Sequence, residues 1–157
     1  EQYERIVRRT AERIAPLGLG ADIIVGFPGE SNENFERTRK LIEELPFSYL
    51  HVFSYSPRSG TEAHSFKNNI KNAIKKERNR VLTNLAKEKA TLFHKSFVGK
   101  KVTVLIEDRK HAEGLFKGHS EHYIPVRVNT EGSLQNQLIP VLIKEVNEGK
   151  VVGSPQL

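Results

Sequence analysis

The 157-residue chain contains no cysteine, no methionine and no tryptophan. Without cysteine it can form no disulfide and can offer no thiolate to zinc or to an iron–sulfur cluster. The missing methionine includes the initiator position, so the chain reads as a piece cut from something larger. No apolar stretch approaches the ~18–20 residues needed to cross a bilayer. The opening residues, Glu1-Gln2-Tyr3-Glu4-Arg5-Ile6, have the layout of neither a signal peptide nor a transit peptide. The default expectation is a cytoplasmic protein with no membrane partner. There is no internal repeat and no low-complexity stretch, and no His, Glu or Asp is placed by spacing in a convincing acid–base pair.

What is present is an uneven charge. The net charge is +6, yet residues 67–101 alone carry eleven Lys and Arg against two Glu, while the segments before and after are each slightly acidic. A block of cations with so few compensating acids suits a polyanion. The competing reading, a solvated helix face, is the usual meaning of a charge run.

Hydrophobic periodicity divides the chain into an α/β part followed by an all-β part. Residues Tyr3 to Ala15 read as a helix with Ile6, Val7, Thr10 and Ile14 on one face, ended by Pro16. A strand follows at Asp22 to Val25. Ser31 or Asn32 then caps a helix whose apolar positions Phe35, Thr38, Leu41, Ile42 and Leu45 recur at helical spacing until Pro46. A second strand reaches residue 55, completing a βαβ-sized unit. Two parallel strands cannot cover both faces by themselves, so residues 1–66 read as an incomplete sheet or barrel whose neighbours lie upstream.

The basic segment 67–98 reads as a connecting helix from about Ile70 to Ser96, capped by Asn68 or Asn69, with Ile70, Ile74, Val81, Leu85 and Leu92 as its apolar stripe. From residue 99 onward the period becomes two. Val102, Val104 and Ile106 alternate with polar or outward positions, and strands are expected at Ala112–Gly118, Tyr123–Val128, Leu138–Val146 and Lys150–Gly153. Five short strands in about 55 residues match a small OB-like barrel.

Two strand ends carry the chemistry. In Asp22-Ile-Ile-Val-Gly-Phe-Pro-Gly-Glu30, Gly26 permits close approach of a ligand to the backbone and Pro28-Gly29 suits a type II turn. Glu30 then stands near a helix start, where free N–H groups can hold an anion. In Leu50-His-Val-Phe-Ser-Tyr-Ser-Pro-Arg-Ser-Gly-Thr61, hydroxyls and Arg58 crowd a loop suited to a polar cofactor or phosphate. Active sites of parallel β/α folds collect at such strand tips. The plainer readings are a helix-entry turn and a surface loop. His51, within an apolar run, reads as a core histidine.

Taken in this order and one helix apart, the two motifs resemble the last two β/α units of radical S-adenosylmethionine methylthiotransferases. The likeness runs through the Lys76-Glu77-Arg78 helix into a terminal segment similar to a TRAM domain, an RNA-binding OB-like module, at 99–157. The resemblance implies a partial, TIM-like β/α barrel of six strands, of which this chain supplies the fifth and sixth. It implies S-adenosylmethionine and two four-iron four-sulfur clusters in the full-length enzyme, with the clusters bound by upstream domains, none expected on this piece, and no catalytic activity from it alone. By motif, Ile24, Gly26 and Phe27 would line the nucleoside side of the cofactor, and Tyr55, Ser56 and Arg58 would border the pocket. The wider superfamily writes its fifth-strand motif Gly-x-Ile-x-Gly-x-x-Glu. Here Asp22 replaces the first Gly and Glu30 lies one residue late, so the assignment rests on backbone approach.

The resemblance also implies tRNA, bound at its anticodon stem-loop, as partner. Arg58 stands where the protein-modifying branch has an acid. His51-Val-Phe53 is similar to the branch acting on N6-threonylcarbamoyladenosine beside the anticodon. A stand-alone RNA-binding module and a methylthiotransferase of a ribosomal-protein aspartate are the alternatives. For the RNA, Lys75, Lys76 and Lys87 on the basic helix are expected to meet phosphates, with Lys117 and Tyr123 on the barrel. Phe116 reads as barrel core, and Tyr123 is open between core and stacking platform.

Overall fold

In the computed structural model, which describes residues 1–67, 70–107, 115–129 and 134–156, the alternation of helix and strand gives way to strands alone near residue 100. Helix α1 (Gln2–Arg13) precedes strand β1 (Gly20–Val25), helix α2 (Asn32–Glu44) and strand β2 (Tyr49–Ser54). A 3-10 turn at Glu62–Ser65 leads to the 24-residue helix α3 (Asn72–Lys95). Strands β3 (Lys101–Ile106), β4 (Leu115–Ser120), β5 (Pro125–Asn129), β6 (Leu138–Asn147) and β7 (Lys150–Pro155) complete the chain. Two compact units result, Glu1–Ala15 with Leu19–Lys89 and Pro16–Gly18 with Ala90–Leu157.

In the first unit β1 and β2 pair in parallel, Gly20 opposite Tyr49 through Val25 opposite Ser54. The period-two pleat sends Ile23 and Val25 of β1 and Val52 of β2 toward Phe35, Ile42 and Leu82 of α2 and α3. Val7, Leu45 and Phe47 form an adjoining core. The side chain of Ser31 caps α2 by accepting from Asn34 N–H at 3.1 Å. At the other end of α2, Lys89 donates to the Glu43 carbonyl at 3.0 Å, satisfying one of the helix's last acceptors. Burial holds the Lys89 ammonium below its ordinary pKa, with the Glu43 charge opposing that shift.

Helix α3 departs from the sequence expectation. Its buried positions are Lys75, Arg78, Leu82 and Ala86, whereas Ile74 and Leu92 of the expected stripe are 41% and 69% exposed. The seam is rotated because two cations lie on it, and each has a partner described below. In α1, Val7 is buried but Ile6 faces outward, as does Ile14 just past its end. The expected cap at Asn68 or Asn69 lies outside the described residues.

In the second unit the five strands close in the order β3-β4-β5-β7-β6, with β5 and β7 parallel and the other neighbours antiparallel. Strand β3 alternates as expected, Val102, Val104 and Ile106 buried and Lys101, Thr103 and Leu105 outward. Phe97, Ile124, Val128, Val141 and Ile143 fill the interior. Each such side chain contributes about 1.5–3 kcal/mol by leaving water. The ten-residue β6 can pair with both β3 and β7 because a register shift between Ile143 and Glu145 bends it. The five expected strands are all present with shifted ends. The start expected for one of them at Ala112 lies outside the described residues.

Candidate ligand cleft and nucleic-acid face

Because α2 and α3 cover only one face of the β1–β2 pair, the other face is open among the described residues. Asp22 stands opposite His51 and Ile24 opposite Phe53 on that face. Ile24 and Phe53 are 56% and 52% exposed. His51 is therefore not the core histidine expected from its apolar neighbours; the pleat turns it away from the helices.

At the carboxyl ends of the two strands this face runs into a cleft of about 570 Å³. Ile24, Tyr55, Ser56 and Arg58 line it, joined by Asp22 and Phe53, which motif reading alone did not single out. Their common signal was period two: residues 22 and 24 share a face with 53 and 55. The lining combines the apolar surface of Ile24 and Phe53 with hydroxyls, the Arg58 guanidinium and the Asp22 carboxylate. Tyr55 is fixed by its own hydroxyl, which donates to the Ala63 carbonyl at 2.9 Å. Its ring meets Phe27 edge-on at 5.2 Å, and Phe27 also packs against Phe66.

Gly26 and Phe27 are not among the residues that line the cleft, although the Phe27 ring touches Tyr55, which does. Phe27-Pro28-Gly29-Glu30 forms the expected turn: Glu30 N–H donates to the Phe27 carbonyl at 2.9 Å, and Gly29 has φ +85°. Glu30 does not prepare an anion site. Its own carboxylate accepts from Gly26 N–H at 2.6 Å and from Arg78 Nη1 at 2.5 Å. Arg78 also donates to the Asn32 side-chain oxygen and the Glu30 carbonyl, and its guanidinium lies over the Phe35 ring. The backbone N–H of Gly26 is thus committed within the protein.

Lys75 likewise turns inward. It is 8% exposed, its ammonium lies 5.5 Å from the centre of the Tyr55 ring, and its aliphatic stem packs on Gly26. Among the three helix lysines expected to face RNA, Lys76 and Lys87 are exposed and Lys75 is not. On the barrel, Tyr123 is 63% exposed and Phe116 only 2%. Lys117 lines a second cleft, of about 350 Å³, with Arg127, Lys150 and His119. Among the described residues no cluster of three His, Asp or Glu side chains could hold a metal ion, and no helix is long and apolar enough to cross a membrane.

No family model matches the chain. Individual proteins do. The chain is 35% identical over 151 residues to a tRNA-2-methylthio-N(6)-dimethylallyladenosine synthase of Bartonella henselae, covering 96% of this chain and 33% of the relative. Proteins of the same name from Thermosipho africanus and Geobacillus kaustophilus are each 36% identical over 154 residues, 98% of this chain and 36% and 29% of theirs. The chain thus spans about a third of the length of the curated relatives it matches. These relatives support the tRNA methylthiotransferase family for this chain. Their shared name specifies the dimethylallyl nucleoside and not the threonylcarbamoyl nucleoside expected from His51-Val-Phe53.

Proposed function

We propose that this chain is the part of a tRNA methylthiotransferase that supplies one wall of the cofactor pocket and an RNA-binding TRAM barrel. The observation that carries the reading is the cleft at the ends of β1 and β2, where Ile24, Tyr55, Ser56 and Arg58 converge. Its mixed lining suits S-adenosylmethionine. Ile24 and Phe53 offer apolar surface to an adenine, while Ser56 and Arg58 offer donors to ribose or carboxylate oxygens. The cofactor, when bound, supplies the radical chemistry. The residues of this chain bind and orient it, and Tyr55, held by Ala63 and Phe27, gives the wall its rigidity. The two four-iron four-sulfur clusters belong elsewhere in the whole protein, since the chain has no cysteine to ligate them. The fold supports the fifth and sixth strands of a partial β/α barrel for β1 and β2, and an OB-like TRAM module for β3–β7.

The substrate is an N6-substituted adenosine beside the anticodon, methylthiolated at C2. N6-threonylcarbamoyladenosine is the reading supported by His51-Val-Phe53 ahead of Tyr55-Ser56. A second reading, N6-dimethylallyladenosine, is supported by the names of the relatives. Mass analysis of tRNA nucleosides from a strain lacking the parent gene decides between them: the methylthio form that disappears names the substrate. If neither disappears, the tRNA methylthiotransferase reading fails. A binding-only module or a ribosomal-protein aspartate methylthiotransferase then replaces it, and mass analysis of ribosomal proteins separates those two.

A further inference from the structure

We infer that the outer face of β4, β5 and β7 binds a single-stranded nucleotide, with Tyr123 stacking the base and Lys117, Arg127 and Lys150 receiving the phosphates. The inference deepens the RNA-binding reading above and rests on it.

The first observation is backbone conformation. Tyr123 has φ +62°, a left-handed setting that bulky side chains rarely adopt. Such a setting persists where the surroundings over-determine it. Here Ser120, 6% exposed, provides that determination. Its hydroxyl accepts from the N–H groups of His122 and Ile124, its N–H donates to the Ile124 carbonyl, and its carbonyl accepts from Tyr123 N–H. A hairpin held by so many bonds could carry glycine at 123 without strain. Instead it presents a large ring that remains 63% exposed.

The second observation is what the ring rests on. Tyr123 stacks on His119 at 5.3 Å with the planes 30° apart, and His119 Nδ1 is 2.7 Å from Glu107 Oε2. One face of the ring is thus backed by an oriented imidazole. Stacking on such a ring tolerates any base.

The third observation is the charge beside it. Strand alternation puts Phe116, Gly118 and Ser120 of β4 inside and Lys117 and His119 outside. Lys117 is registered opposite Arg127 of β5, and Lys150 begins the neighbouring β7. These three cations, His119 and its partner Glu107 line the same cleft, so the platform and the basic groove are continuous through His119. Three cations stand there against one carboxylate, which His119 already engages. An aromatic ring at the edge of a cationic groove on the second and third strands of a small barrel is the arrangement by which OB folds bind oligonucleotides.

The test measures binding of the 157-residue chain to labelled octauridylate and to an abasic ribose-phosphate octamer. Tyr123→Ala is expected to weaken octauridylate binding roughly 5- to 100-fold and to leave the abasic octamer unchanged. Tyr123→Phe should retain affinity. Tyr123→Gly should raise the melting temperature while losing affinity as Tyr123→Ala does, which separates a binding role from a folding role. Lys117→Gln and Lys150→Gln should each lower the log–log salt slope by about 0.7. Octauridylate binding that ignores Tyr123→Ala overturns the platform and leaves the RNA-binding reading standing. Binding of neither oligonucleotide overturns both.

Discussion

Arg78 on α3 reaches across 48 positions of sequence to hold the carboxylate of Glu30 at 2.5 Å, with only 6% and 12% of the two side chains exposed. Isolated, either charge in that position would be strongly disfavoured. Together they satisfy one another and the N–H of Gly26. Removing one partner strands the other, so Arg78→Met should destabilise the chain by about 3–5 kcal/mol. The paired substitution Arg78→Met with Glu30→Gln should cost less than Arg78→Met alone. Urea unfolding of both variants checks the ordering.

Two glycines of the same loop should respond differently to alanine. Gly26 and Gly29 both have positive φ, +75° and +85°, and share the left-handed penalty of roughly 1–2 kcal/mol. A Cβ at Gly26 would also stand 2.5 Å from Lys75 Cγ, the root of a buried side chain, whereas nothing lies within 4 Å at Gly29. Gly26→Ala is therefore the more destabilising, and thermal melts of the two variants measure the difference.

On α3, charge reversal should divide by burial. Reversing Lys76 and Lys87 together should weaken tRNA binding and lower the log–log salt slope by about 0.9 for each duplex phosphate that is no longer neutralised. Lys75→Met keeps the aliphatic stem over Gly26 and should leave that slope unchanged. A salt titration with tRNA tests both, and equal slopes for all three proteins would refute the role of the helix.

His94 sets an acid limit. Its Nδ1 is buried and finds no hydrogen-bond partner among the described residues, and burial lowers its pKa from the usual 6.5. The folded chain therefore binds fewer protons at this site than the unfolded chain does below about pH 6.5. The contribution of His94 to stability is complete above that value and declines as pH falls through it toward the lower folded pKa. Melting temperatures at pH 7.5 and 5.5 should differ more for the native chain than for His94→Gln.

The barrel was legible because its signal is local. Val102, Val104 and Ile106 alternate within one strand and all point inward. The seam of α3 was not legible, because what makes Lys75 and Arg78 core residues is the Tyr55 ring and the Glu30 carboxylate, 20 and 48 positions away. A periodicity count scores both as solvent-facing. The cleft was half legible: the motifs pointed to Tyr55, Ser56 and Arg58, and the pleat added Asp22 and Phe53. For Gly26 the motif identified a special backbone position, which has φ +75°, but not that its N–H is taken by Glu30, four residues on.

The two sheets differ in how they end. Closure leaves the barrel without an edge, whereas β1 and β2 each pair on one side only among the described residues. Two six-residue strands thus carry outward-facing amides and carbonyls beside the apolar surface of Ile24 and Phe53. Such a strand templates another of its kind. When this chain is heated or concentrated, aggregation should nucleate at residues 20–25 and 49–54, while the barrel amides remain the slowest to exchange their hydrogens.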